Sequence, residues 1–189
     1  MSARSRLLAL AVPILLMCEP LRTQAEASML RHMLAVFPLL FASGYVCAGA
    51  IGERVRAAFA HWDSHGISGL VFVSAVLTVW MIPNALDMAT TGLPVDLAKT
   101  VSVFAAGLVF ALSVSRASAV IQLFFVGQWA TMTIFVGVLF QSLPSRLCAA
   151  YLQTDQARTG EGLVALATIV AGTWAFGAWR TQARESQQA

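Results

Sequence analysis

The chain has 189 residues, 58% of them hydrophobic and only 11% charged, against roughly 25% charged in a soluble domain. Charge this sparse leaves too little polar surface to face water, which excludes an ordinary soluble domain. The net charge of +3 comes from eleven arginines and one lysine; they sit in short connectors rather than in a basic stripe, so nothing points to nucleic-acid binding.

Taken in order, the chain reads as an all-α integral membrane bundle of six transmembrane helices, or five if a leader is removed. Arg4 and Arg6 precede an apolar run over residues 7–18 that contains Pro13. The run is short for a span, which needs roughly 20 residues, and it reads as a retained first helix. A signal peptide is the alternative, with Thr23-Gln24-Ala25 resembling a cleavage site, but Glu19, Pro20 and Arg22 make a charged approach to it. The segments are thus 1–25 (first helix or leader), 26–180 (bundle) and 181–189 (polar tail). A second helix is predicted over 28–52, kinked at Pro38, followed by a polar connector over 53–66 that carries Arg54, Arg56, His61, Asp63 and His65. The third helix covers 67–82 and stops at Pro83. The fourth covers 97–113, the fifth 118–143 and the sixth 162–179. No internal repeat, the mark of many transporters, is visible.

The arginines orient the bundle. With six spans, Arg4, Arg6, Arg54, Arg56, Arg116, Arg180 and Arg184 fall on one side, and Arg22, Arg31, Arg146, Arg158 and Lys99 on the other. The richer side is expected to be cytoplasmic, with both termini there, in a cell (inner) membrane. The opposite side then gathers Met29, His32, Met33, Asp87, Met88, Asp96, Lys99, Cys148, Tyr151, Asp155 and Gln156.

Within that group, Met29-x-x-His32-Met33 places three side chains on one helical face. Thioether and imidazole donors favour Cu(I); the plainer reading is methionines lining a helix contact, with His32 at the wet interface. Cys148 reads as a structural cysteine, and a place beside that site or a pairing with Cys18 are the alternatives. No C-x-x-C spacing or disulfide framework exists among Cys18, Cys47 and Cys148. Asp96 and Lys99, one turn apart, are expected to form an ion pair, with ligand orientation as the alternative. Gln128, Thr131 and Met132 share one face near the middle of the fifth helix, where such groups hydrogen-bond between helices or line a polar passage. The alternation His61-x-Asp63-x-His65 reads as a solvated loop. Phosphate-binding glycine motifs, a nucleophile elbow and an H-E-x-x-H zinc site are all missing from the sequence, so no catalytic residues are assigned and no enzyme is expected.

Three segments carry a family resemblance. Residues 28–40 are similar to the H-M-x-x-H-M-L-L-x-x-x-x-P-P-L-L stretch of the CtaG-like cytochrome c oxidase assembly proteins. Pro83-Asn-Ala-Leu-Asp87 resembles that family's P-x-x-x-D segment, and residues 154–160 resemble its D-Q-x-x-A-G segment. The resemblance implies a multi-helix membrane protein that handles copper for haem–copper respiratory oxidases. It carries His32, Asp87 and Asp155, with Met29 and Met33, onto that role. Asp96, Lys99 and Gln156 are expected to serve as structural or supporting polar groups. The family's first histidine falls at Ser28 or Met29, and its glutamate-histidine pair near Ala98 and Lys99, so this chain has the outline of a small, reduced member. The competing expectation is a non-catalytic accessory subunit of a membrane complex, packing on partners through small-residue stripes at Ala48/Gly52 and Ala171/Ala175.

Overall fold

A computed structural model describes residues 3–143, 147 and 151–186. Among the described residues the fold is entirely helical. The helices are α1 (Ala3–Met17), α2 (Leu21–Glu26), α3 (Met29–Ala50), α4 (Glu53–Trp62), α5 (Ile67–Trp80), α6 (Pro83–Thr91), α7 (Leu93–Val114), α8 (Ala119–Ser142) and α9 (Gln153–Ser186).

Four of these, α3, α7, α8 and α9, are long and apolar enough to cross a membrane, and α4 with α5 makes a fifth if that bent pair is one span. The sixth helix of the sequence expectation is α1, whose apolar stretch Leu8–Met17 covers about half of the roughly 20 residues a span requires. It packs along α3, and the Thr100 hydroxyl of α7 reaches the Met17 sulfur at 3.3 Å.

Two expected connectors are helical. Residues 53–62 form α4 because Val55, Phe59 and Trp62 recur at helical spacing between the charges. Pro83 opens α6, where its fixed φ and missing N–H fit the first turn. α4 meets α5 at 89°. At that corner Gly66 adopts the left-handed conformation, φ 73°, and the buried Asp63 carboxylate accepts the Gly69 N–H at 3.2 Å. His61 and His65 are exposed while Asp63 is buried, so the alternating triplet does not converge. The break expected at Pro38 takes the form of a widened π turn over His32–Val36, just before the residue that cannot donate to the Leu34 carbonyl.

Two glycine crossings hold the long helices together. A Cβ on Gly44 of α3 would overlap the Phe104 carbonyl of α7, and one on Gly107 of α7 would overlap the Phe41 carbonyl of α3. α8 and α9 repeat the arrangement at Gly137 and Gly160, each facing the other's carbonyl. Small residues that let backbones touch are the usual means of packing helices in lipid, where burial of apolar surface supplies no drive. Of the small-residue stripes expected to take partners, Ala48 is already buried within the chain and Gly52 lies beyond the end of α3.

Candidate functional site: a closed charge cluster at one end of the bundle

The N-termini of α3, α7 and α9 meet at one end of the bundle, and most of the expected polar residues are found there. α7 begins at Leu93, so Asp96 falls in its first turn, where a carboxylate is favoured by the helix dipole. Lys99 follows one turn later on the same face. Both side chains are 2% exposed, and the Lys99 ammonium lies 2.6 Å from Asp96 Oδ1. The expected ion pair is present, and it is one part of a larger structure.

The ammonium donates to two further groups, Glu26 Oε1 at 3.0 Å and His32 Nε2 at 2.8 Å. Its three protons therefore have three acceptors. Because an ammonium only donates, Nε2 of His32 accepts, the imidazole is neutral and Nδ1 carries its proton. That N–H donates to the Tyr151 hydroxyl at 2.8 Å. Arg22 completes the group, with Nε 2.9 Å from Asp96 Oδ2 and 3.6 Å from Glu26 Oε2. Two cations, Arg22 and Lys99, thus balance two carboxylates, Glu26 and Asp96, and the cluster is electroneutral, as buried charges require. Glu26, on the short helix before α3, is the most accessible of the two acids. Burial pushes its carboxyl above the usual range, against the opposing pull of Lys99 and Arg22.

A second junction lies beside the first. Asp155, in the first turn of α9, accepts the Ser28 hydroxyl at 3.0 Å and the Met29 N–H. One carboxylate thereby serves the N-termini of two helices distant in sequence. Ala27, Ser28, Tyr151, Thr154, Asp155 and Arg158 line a pocket of about 290 Å³ at this point. Gln156 is buried and ties the preceding connector down, accepting the Leu147 N–H at 2.9 Å and donating to the Phe140 carbonyl at 3.2 Å.

Met29, His32 and Met33 are buried together, as their spacing predicts. The methionines belong to an apolar cluster with Leu86, Phe140, Tyr151 and Leu163. Both ring nitrogens of His32, the imidazole donor a copper ion would need, are occupied in this structure by Lys99 and Tyr151. Among the described residues no group of three or more His, Cys, Asp or Glu is disposed to hold a metal. Asp87 is not in the cluster; it is half-buried in α6, where its carbonyl accepts the hydroxyls of Thr90 and Thr91. Cys148 lies outside the described residues, and Cys18 is a free, exposed thiol.

Arg22, Glu26 and Tyr151 are the members that sequence reasoning did not assign to a site. The spacing of Arg22 and Glu26 at i,i+4 marks one charged helical face ahead of α3, and that is the signal that could have drawn attention to them. Comparison with protein-family models, curated proteins and solved structures finds no match. What stands is the class: among the described residues, an all-helical fold with four or five helices of membrane-spanning length and a buried, electroneutral charge cluster where three of them begin.

Proposed function

We propose that the protein is a non-catalytic accessory subunit of a membrane complex, a helical scaffold seated in the bilayer with its charge cluster at the outer surface. The observation that supports this reading is the closure of the Lys99 cluster. Every ammonium proton has an acceptor and both His32 nitrogens are engaged, so the group stabilises the joint between helices and holds no donor in reserve for a cargo.

The orientation follows from the balance of the other cations. Arg54, Arg56, Arg116, Arg180 and Arg184 lie at the end away from the cluster, against Arg31 and Arg158 beside it, and the positive-inside bias makes the richer end cytoplasmic. At the cluster end, Arg22 and Lys99 are tied up in ion pairs with buried carboxylates and weigh less in that bias. α4 fits the same frame. Its 89° turn from α5 lays it along the cytoplasmic surface with Val55 and Trp62 exposed towards lipid and Arg54 and Arg56 beside them.

Copper handling for a respiratory oxidase is the second reading, favoured by the joint burial of Met29, His32 and Met33 and by the resemblance of residues 28–40. It requires Lys99 to withdraw from Nε2. A Cu(I) competition titration of the detergent-purified protein and of His32→Ala separates the two. The accessory reading expects no stoichiometric binding in either, together with a stoichiometric membrane partner retained in native membranes. Tight binding lost in His32→Ala would overturn it in favour of copper, and a chain isolated without any other protein would overturn it outright.

A further inference from the structure

α8 presents a face to lipid that a single copy of the chain leaves incomplete. Leu123, Phe124, Gly127, Gln128, Thr131 and Phe135 line a shallow groove of about 690 Å³ along this one helix. Phe124 and Phe135 form its walls and are 75% and 67% exposed. Gly127 forms its floor, where an added Cβ would meet nothing within 4 Å. Gln128 and Thr131 are exposed, and among the described residues neither side chain has a hydrogen-bond partner. Both lie close to the midpoint of the 24-residue helix. Gln128 has about 14 Å of helix on one side and about 21 Å on the other, so its carboxamide is too deep to reach water. An amide left unpaired in hydrocarbon is costly, and in membrane bundles such groups bond across to another helix.

We infer that a second copy of this chain fills the groove, forming a parallel α8–α8 dimer about a two-fold axis along the membrane normal. Two copies inserted in the same orientation bring each residue opposite itself. A glutamine is suited to that position because its carboxamide both donates and accepts: each Gln128 N–H meets the other's carbonyl. Gly127, next to it, lets the backbones approach, and Thr131 adds a second donor–acceptor group one turn along. A different partner would have to supply a matched polar group at the same depth, whereas this face is its own complement. The inference rests on α8 crossing the bilayer and is independent of which complex the protein serves.

The test is Förster transfer between full-length copies labelled at the C-terminus and reconstituted in phosphatidylcholine vesicles over a range of protein-to-lipid ratios. Gln128→Leu, Gly127→Leu and Gly172→Leu are compared with the wild type. Neither Gly127 nor Gly172 has a neighbour within 4 Å of the added carbon, so both variants keep the protomer fold, which circular dichroism checks. The expected result is a wild-type dimer, weakened about three- to tenfold by Gln128→Leu and by Gly127→Leu, with Gly172→Leu unchanged. A wild type that stays monomeric at every ratio overturns the inference. So does a dimer that either α8 variant leaves intact, or one that Gly172→Leu weakens equally.

Discussion

The two halves of the bundle handle their surfaces in opposite ways. α3 and α7 are each 39% buried within the chain across their most apolar stretch, against 22% for α8 and 11% for α9. The first pair is enclosed by α1, α5 and α6 and seals its charges inside; the second lies along the flank and leaves Gln128 and Thr131 facing outward. Both pairs use the same joint, reciprocal glycines with backbone in contact. What differs is the destination of the polar groups. Those at the end of the first pair stabilise one chain, and those in the middle of α8 are suited to joining two.

The sharpest way to break the contrast is Lys99→Met, which leaves Asp96 and Glu26 buried without their shared cation. A loss of about 3–5 kcal/mol is expected, read as a large drop in thermal midpoint in detergent. The fourfold change Arg22→Gln, Glu26→Gln, Asp96→Asn and Lys99→Met should recover most of it, because removing all four charges removes the uncompensated ones. Next comes the glycine comparison. Gly107→Ala pushes a methyl into the Phe41 carbonyl and should cost about 1–3 kcal/mol. Gly172→Ala, with open space around it, should be neutral or slightly stabilising through helix propensity. Both are read from the same melting curves.

Asp155→Ala, which frees the Met29 N–H and the Ser28 hydroxyl, should cost about 1–3 kcal/mol. Faster amide exchange at the start of α3 would identify the cause, and unchanged exchange there would refute it. The smallest effect concerns Glu26. Its folded carboxyl is raised above 4.5, so the folded state holds a proton more tightly than the unfolded chain. The stability this provides is fully present below 4.5 and is lost as pH rises through the folded value. Glu26→Gln should therefore flatten the pH dependence of the melting midpoint above 4.5, and an unaltered slope would assign it to another group.

Much of this was legible in the residues. Hydropathy marks the four helices that are long and apolar enough to span a membrane, and the i,i+3 spacing of Asp96 and Lys99 announces their pair. The remaining partners, Glu26, Arg22, His32 and Tyr151, come from separate segments, and only the packing of α2 and α3 against α7, with Tyr151 brought onto His32 just ahead of α9, decides which group meets which. Hydropathy also reports how far a helix is apolar rather than how far it is helical. The predicted sixth helix over 162–179 is therefore the apolar middle of α9, which runs from Gln153 to Ser186 through polar turns of good helix formers. α4 escaped notice for a related reason, since its charges hid an apolar spacing that becomes clear once Val55, Phe59 and Trp62 are counted.

Lys99 also bears on how the chain enters a membrane during synthesis. A segment inserting with one unaccompanied lysine near its end faces a penalty of up to a few kcal/mol. α7 brings its own counter-ion one turn ahead, at 2.6 Å, and so can partition as a nearly neutral unit before its neighbours arrive. Glu26 and Arg22 precede it on the nascent chain and are in place to close around the pair when α7 docks. The order of the sequence thus matches an order of assembly in which no charge need wait alone in lipid.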